Sequence, residues 1–241
     1  MRIVITFHAK ELRLPLACNY IMQSFIYRVL SADTAFGTFM HDAGYRAGNK
    51  AFKLFSFRPP YGRYTIDGKD IVFHDSASFE VRSPDAAFLQ TFFTACQQGR
   101  QFLLNGQTVT VVACQLKNAP LFQNTTLVTA VSPITVHTTD ETRHTTYYSP
   151  EQPAFYELIV RNAQRKWGSY YADAPFDFSI ASAENAACRS LVTTFKRTYI
   201  TAWYGRFLLQ GTPQVLDFLY HTGLGSRNSQ GFGMFDTIQE K

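Results

Sequence analysis

The chain has 241 residues, enough for one large or two small domains with a buried core. Hydrophobic residues make up 46% of the sequence and charged residues only 17%, which excludes extended disorder. The formal net charge of +5 favours polyanionic partners, but it does not separate an RNA-binding protein from an ordinary basic enzyme.

The amino-terminal sequence and the cysteines bear on the cellular compartment. The first ten residues, MRIVITFHAK, are typical of a strand rather than a secretory leader, and the sequence has no apolar stretch of membrane-spanning length. No Cys-x-x-Cys pair is present, so we expect buried, reduced thiols at Cys18, Cys96, Cys114 and Cys188. These features predict a cytoplasmic protein.

The first half of the chain predicts one βαββαβ unit. Apolar residues at helical spacing predict a helix over Asn19–Leu30, capped by Asn19, and a short helical turn over 34–42. A second long helix is predicted to start at Ser83-Pro84-Asp85 and to end at Gly99. The predicted strands cover 2–7, 52–57, 64–66, 71–73, 78–81, 101–104 and 107–116, with turns at Asp67-Gly68 and Asn105-Gly106. This order is that of the ferredoxin-like fold.

The second half repeats this order without obvious sequence identity to the first. Its predicted elements are a strand over 126–136, a helix over 151–167, a hairpin of 190–199 and 202–210, a helix over 213–221 and a last strand over 232–238. The boundary is expected near 118–124, which contains Pro120. We therefore predict an α+β protein with tandem ferredoxin-like domains, one over 1–119 and one over 120–241.

A glycine-rich stretch lies between the last predicted helix and strand. Its sequence, GLGSRNSQGFG at 223–233, has two Gly-x-Gly pairs around Ser226, Arg227 and Asn228. Glycines at positive φ allow a loop to turn its amides outward as an anion nest, and Arg227 adds charge, so a phosphate-bearing partner is one interpretation. The other is a simple turn before a strand. Walker and dinucleotide-binding loops are excluded, because the Gly-Lys-Ser/Thr ending is absent and the order is helix, loop, strand.

This stretch closely resembles the carboxy-terminal signature of the CRISPR-associated RAMP superfamily, and most closely that of its endoribonucleases that process precursor crRNA. The resemblance extends to NYIMQSFIYRVL, FMHDAG and FKLFSF near the amino terminus and to TLVTAVSPITV in the middle of the chain. It implies the same tandem ferredoxin-like architecture. It also implies a metal-independent cleavage in which the RNA 2′-hydroxyl attacks the adjacent phosphate and leaves 2′,3′-cyclic phosphate and 5′-hydroxyl ends.

The resemblance implies a catalytic group of Tyr27, His41 and Lys53, with Tyr27 as base, His41 as acid and Lys53 stabilising charge. From its ordinary pKa alone, His41 is the stronger acid-base candidate. Each residue also has a structural interpretation: a core-edge tyrosine, a histidine at a helix end and a solvent-facing lysine. The segment between His41 and Lys53 is longer than is usual in the family, so Lys50 or Arg46 could take the place of the lysine.

The sequence predicts neither a metal nor a cofactor. The remaining histidines share no spacing with acidic residues or cysteines that suggests a metal cage, and we expect surface or loop positions for His8, His74, His137, His144 and His221.

RNA contacts are expected from the glycine-rich stretch and from nearby basic residues. The candidates are Gly223, Gly225, Ser226, Arg227, Asn228, Gly231, Gly233, Lys50, Lys196 and Arg197, while Arg161, Arg165 and Lys166 are candidates for a basic helix face. Solvated surface is the ordinary alternative for each of these charges.

The leading hypothesis is an endoribonuclease that cleaves CRISPR repeat RNA and passes the product to an effector complex. The alternatives are a non-catalytic crRNA-binding subunit of the same superfamily and a general single-strand binder whose affinity is dominated by salt. The sequence leaves the oligomeric state open, a homodimer included.

Overall fold

The computed structural model describes residues 1–184 and 187–238. Its amino-terminal half has helices α1 (Asn19–Leu30), α2 (Thr34–Thr38) and α3 (Ala86–Gln98), with a π-helical turn (Phe39–Ala43) directly after α2. The strands of this half are β1 (Arg2–Pro15), β2 (Tyr45–Ala47), β3 (Lys50–Phe52), β4 (Ser56–Phe57), β5 (Tyr64–Asp67), β6 (Asp70–Arg82), β7 (Gln101–Leu104) and β8 (Gln107–Lys117).

The main sheet of this half has the ferredoxin-like topology. Its strands are antiparallel neighbours in the order β4, β6, β1, β8 and β7, and β5 pairs with β6. Because α1 connects β1 to β4 and α3 connects β6 to β8, the connectivity is the predicted βαββαβ. The short hairpin of β2 and β3 lies outside this sheet.

The carboxy-terminal half repeats this topology. Its helices are α4 (Pro153–Tyr171) and α5 (Pro213–Thr222), and its strands are β9 (Thr125–Ala130), β10 (His137–Thr139), β11 (Thr145–Tyr147), β12 (Phe178–Ser182), β13 (Arg189–Phe195), β14 (Thr198–Tyr204), β15 (Arg206–Gly211) and β16 (Phe235–Thr237). The sheet order is β12, β15, β9, β16, which matches β4, β6, β1, β8 of the first half. The α+β class and the ferredoxin-like sheets are thus confirmed, whereas the boundary between 119 and 120 stays a prediction.

Several predicted elements differ from the observed ones. β13 and β14 form their own hairpin with Lys196-Arg197 at the turn, so the predicted pairing of 190–199 with 202–210 is wrong. The chain instead turns again at Gly205, and β15 joins the main sheet beside β9. Strong strand formers run through this region, and the sequence pattern alone does not show where the chain turns.

Other differences lie near the site. The predicted strand 52–57 is broken, because β3 ends at Phe52 and β4 starts at Ser56, which leaves Lys53 in an irregular segment. The strand predicted over 126–136 ends at Ala130, and the following residues form single bridges from Ile134 to Trp203 and from Thr135 to Ser226. The bridge from Thr135 to Ser226 brings the segment after Ala130 alongside the glycine-rich stretch.

The prediction of four buried, reduced cysteines is confirmed in part. All four thiols are free, and Cys18 and Cys96 are buried as expected, but Cys114 and Cys188 are partly exposed. Within the described residues, no helix is both long and apolar enough to cross a membrane.

Each sheet carries a separate hydrophobic core, and a buried ion cluster connects them. Arg82, at the end of β6, is fully buried, and its Nη2 lies 2.5 Å from Oδ1 of Asp236 in β16. Its Nε donates to Glu80 Oε1 at 2.6 Å, and its guanidinium lies 3.7 Å from the ring centre of Tyr220. Because the partners come from both halves of the chain, this cluster ties the two sheets together.

We expect Arg82→Met to lower the free energy of unfolding by about 3–5 kcal/mol, because it leaves the buried Glu80 carboxylate with less compensation. Urea unfolding monitored by tryptophan fluorescence measures this change. Arg63→Met is the matched control, since it removes a mostly exposed ion pair with Asp75 and is expected to have little effect. Equal losses in the two variants would contradict the assigned role of the buried cluster.

Candidate RNA-cleavage site

One face of α1 connects the parts of the candidate site. Tyr20, Gln23 and Tyr27 follow one another at helical spacing along this face. Lys196, at the turn of the β13–β14 hairpin, lies 4.9 Å from the ring centre of Tyr20. The side chain of Gln23 donates to the Ser229 carbonyl at 2.7 Å, and Tyr27 packs against His41. The helix thus contacts the basic hairpin, the glycine-rich stretch and the predicted catalytic group in turn.

Tyr27 is a half-buried phenol between two aromatic rings. Its ring centre lies 5.6 Å from that of His41 and 6.0 Å from that of Phe55, both in edge-to-face geometry. Burial raises the pKa of Tyr27 to about 12. The phenol therefore stays protonated at neutral pH and is suited to donate a hydrogen bond rather than to accept a proton.

His41 lies in the π-helical turn, a type of distortion that is often found at functional sites. Its side chain is 71% exposed, and its Nδ1 lies 2.6 Å from Oδ1 of Asp42. A carboxylate only accepts hydrogen bonds, so this contact places a proton on Nδ1 and leaves Nε2 of the neutral ring free to accept one.

Lys53 lies in contact with the His41 segment. Its Nζ donates to the His41 carbonyl at 2.8 Å. Burial lowers the pKa of Lys53, and the negative charge of Asp42 partly offsets this shift by raising it. Of the two alternatives to Lys53, Arg46 is exposed on β2, and Lys50 starts β3 and lines a cavity described below. The structure therefore brings Tyr27, His41 and Lys53 together.

The glycine-rich stretch is held mainly by its own backbone groups. All four of its glycines have positive φ, as expected, and so does Arg227. The amides of Leu224, Ser226 and Gly233 donate to the carbonyls of Gly233, Thr135 and Pro133. The expected outward-facing anion nest is therefore wrong for these groups, which are used to hold the loop in place.

Polar side chains beneath the loop complete its support. Lys166 is buried on α4 rather than on an exposed basic face, which corrects the prediction for this residue, while Arg161 and Arg165 are exposed. The Nζ of Lys166 donates to the Thr222 and Gly223 carbonyls and to Oδ1 of Asn228. Burial lowers the pKa of Lys166 to about 7. A lysine expected to meet RNA is thus part of the internal support.

The loop also bonds to the amino-terminal half. Nδ2 of Asn19 donates to the Gln230 carbonyl at 2.9 Å and lies 3.3 Å from that of Gly231. Asn19 was predicted to cap α1, but Cys18 occupies the cap position, and the amide serves the loop instead. At Gly231, with φ of +87°, an added Cβ would lie 2.7 Å from Asn19 Nδ2 and from Phe57. Only glycine allows this close approach without rearrangement.

The predicted RNA contacts divide into two groups. The four glycines and Asn228 are buried, so they shape the loop, whereas Ser226 and Arg227 are partly exposed. Ser226 and Arg227 line a cavity of about 290 Å³ together with Lys50 and Lys53 of the other half. Lys196 and Arg197 are exposed at the hairpin turn and lie outside this cavity.

Two histidines do not occupy the surface or loop positions that were predicted for them. His221 is buried on α5, where its Nδ1 lies 2.7 Å from the Asp217 carbonyl. His137 is half-buried and lines the same cavity as Arg227 and Lys50. Burial, together with the positive charges of Arg227 and Lys50, lowers the pKa of His137 to about 4. Only the fold could reveal this position, because His137 is distant in sequence from the other lining residues.

The described residues contain no group of three or more histidine, cysteine, aspartate or glutamate side chains arranged to hold a metal ion.

The glycine-rich stretch and the sheet around it lie in the part of the chain that matches a known family. Residues 116–237, just over half of the chain, match the family model for the carboxy-terminal part of CRISPR associated protein Cas6. The chain belongs to the Cas6 family. The matched part includes the glycine-rich stretch but not Tyr27, His41 or Lys53, which lie before it.

Similarity to individual Cas6 proteins extends over the whole chain. A curated relative from Methanocaldococcus jannaschii, CRISPR-associated endoribonuclease Cas6 1, is 24% identical over 244 aligned positions, which cover 95% of this chain and 89% of the relative. A solved structure described as CRISPR associated protein Cas6 superposes with a TM-score of 0.82 at 23% identity and covers 99% of both chains.

Two other solved structures share this fold. One comes from a Cas6-related gene of Pyrococcus furiosus, with a TM-score of 0.81, 20% identity and coverage of 100% of this chain and 99% of that chain. The other, described as a RAMP protein binding different RNA substrates, has a TM-score of 0.82 at 17% identity and covers 99% of this chain and 100% of that chain. The Cas6 fold therefore accounts for both halves of the chain.

We expect Gly231→Ala to lower the free energy of unfolding by about 2–4 kcal/mol, because it combines a positive φ with contacts that are too close. Chemical unfolding measures the loss. Gly168→Ala on α4 is the matched control, since its added Cβ meets open space and the change is expected to raise stability by up to about 1 kcal/mol. A neutral Gly231→Ala would refute the close packing of the loop against α1.

Proposed function

We propose that this chain is an endoribonuclease that cleaves CRISPR repeat RNA without a metal ion. The observation that carries the proposal is the contact between Tyr27, His41 and Lys53 beside a cavity lined by Arg227 and Lys50. Membership of the Cas6 family supports the substrate class. A cytoplasmic location, an effector complex that receives the product and a homodimer stay predictions of the sequence.

The reaction requires two proton transfers and positive charge near the phosphate. The RNA 2′-oxygen attacks phosphorus while the bond from phosphorus to the 5′-oxygen breaks, which gives a 2′,3′-cyclic phosphate and a 5′-hydroxyl. A base must take the proton of the 2′-hydroxyl, and an acid must give one to the departing 5′-oxygen. Positive charge stabilises the phosphate oxygens in the transition state.

The geometry favours His41 as the base and Tyr27 as the acid, the reverse of the order that the sequence resemblance implies. Asp42 orients the ring of His41 so that Nε2 is free to accept the 2′-hydroxyl proton. Tyr27 keeps its proton, because burial raises its pKa, and the phenol is available to the 5′-oxygen. Lys53 supplies positive charge next to His41.

We expect His41→Ala to slow single-turnover cleavage of repeat RNA by about two to four orders of magnitude, with little change in RNA affinity, because one proton-transfer group is removed. A gel assay with end-labelled repeat RNA measures both quantities. His144→Ala, in an exposed loop, is the control and is expected to cleave at the wild-type rate. Full-rate cleavage by His41→Ala would rule out this site. If the wild-type protein gives a shifted band without cleavage products, the alternative of a non-catalytic crRNA-binding subunit is favoured.

A substrate with sulfur in place of the 5′-oxygen tests the proton relay, because a thiolate leaves without protonation. We expect this substrate to restore most of the rate lost in Tyr27→Phe and little of that lost in His41→Ala. Rescue of His41→Ala alone would assign the acid to His41 and overturn the proposed order.

Metal independence and the nucleophile are tested with the wild-type protein. We expect EDTA to leave the cleavage rate unchanged and a 2′-deoxy substitution at the scissile nucleotide to abolish cleavage. Cleavage of the deoxy substrate, or loss of activity in EDTA that added Mg²⁺ restores, would contradict the mechanism.

A further inference from the structure

The cavity beside the catalytic group has features that the cleavage reaction does not use. It lies between the two halves of the chain, and neither Tyr27 nor His41 lines it. Lys53 lines it and also contacts the His41 segment, so the cavity begins one side chain away from the proposed cleavage point. Its lining also includes Asn162 of α4 and His137 of β10.

Three residues that line this cavity carry buried polar atoms without partners. Nδ1 of His137, Oδ1 of Asn162 and Nε of Arg227 have no hydrogen-bond partner among the described residues. Such atoms are rare in folded proteins, because each costs about 1–3 kcal/mol when it is left unpaired. Of the five such atoms among the described residues, three belong to residues that line this one cavity.

The charge of the lining favours an anionic ligand. Lys50, Lys53 and Arg227 contribute positive side chains, and none of the described residues that line the cavity is acidic. Burial, and next to it the positive charges of Arg227 and Lys50, lowers the pKa of His137 to about 4, so its ring is neutral at pH 7. A neutral imidazole has one donor and one acceptor nitrogen, so it can form hydrogen bonds with the acceptor and donor groups on the edge of a nucleobase.

The size of the cavity allows a ligand larger than a single phosphate group. At about 290 Å³ it is close to the lower limit of small-molecule sites, whereas a single water occupies about 30 Å³ in the liquid. Phe52 and Leu54 add apolar lining next to the lysines. A mixed lining of this kind suits a base and a sugar as well as a phosphate.

We propose that this cavity binds one unpaired RNA nucleotide next to the scissile phosphate and selects its base through Asn162 and His137. The proposal rests on the proposed function, because it places the RNA strand at Lys53. The nucleotide's phosphate lies against Lys50 and Arg227, and its base reaches the amide of Asn162 and the ring of His137. Protein side chains read single-stranded RNA in this way, by hydrogen bonds to the edges of splayed bases.

The test uses RNAs that carry the repeat of the CRISPR array from the organism that encodes this chain. Each of the three nucleotides on either side of the cut is replaced in turn by the other bases. Cleavage rates are measured on the all-ribose RNAs, and affinities by fluorescence anisotropy on RNAs with a 2′-deoxy scissile nucleotide. The binding measurement does not depend on catalysis. If the wild-type protein does not cleave, the same substitutions are made along the whole repeat, so that a failure of the proposed function and a failure of the proposed base selection give different results.

We expect a preference of about tenfold or more for one base at one flanking position. Asn162→Ala and His137→Ala should each reduce that preference to less than about threefold and leave the preferences at other positions unchanged. Gln164→Ala, an exposed neighbour on the same helix, is the matched control and should keep the wild-type preference. The proposal is overturned if no flanking position shows a base preference, or if the preference persists in both cavity variants.

Discussion

The attachment of the glycine-rich loop to α1 and α4 is the contact on which the candidate site depends. Side-chain amides of Asn19 and Gln23 donate to carbonyls at one end of the loop, and the buried Nζ of Lys166 donates to carbonyls at the other. Carbonyls that are buried without partners would destabilise the loop, so each donor is needed. Because α1 also carries Tyr27, the loop and the predicted catalytic group contact the same helix.

This attachment changes what the loop contributes to RNA binding. Its amides and carbonyls serve mainly to hold the loop, so the RNA contacts proposed for it are limited to side chains that remain partly exposed, among them Ser226 and Arg227. Arg227, Lys50 and His137 line the same cavity, and Lys53 contacts both this cavity and the His41 carbonyl. The cation proposed to stabilise the transition state and the pocket proposed to select a base are therefore adjacent.

The sequence predicted the ferredoxin-like class of both halves from local signals, although it missed β12, which pairs with β15 in the second sheet. The apolar stripe of α1 defined its limits at Asn19 and Leu30, and Thr212 with Pro213 defined the start of α5. The catalytic candidates came from a resemblance between motifs, and the structure brings them into contact. Two of the missed features are non-local, the burial of Lys166 and the cavity position of His137. The turn at Lys196-Arg197 is local, but continuous strand formers on both sides of it conceal its position.

The sequence by itself thus determined the order of helices and strands, the ferredoxin-like class and the residue types available for proton transfer. Periodicity and capping act over a few residues and can be read directly from the chain. Only the tertiary structure decided the partner of each polar group. Asn19 and Gln230 are more than two hundred residues apart, and their contact exists because the two sheets pack together. The same packing created the cavity, since its lining comes from both halves.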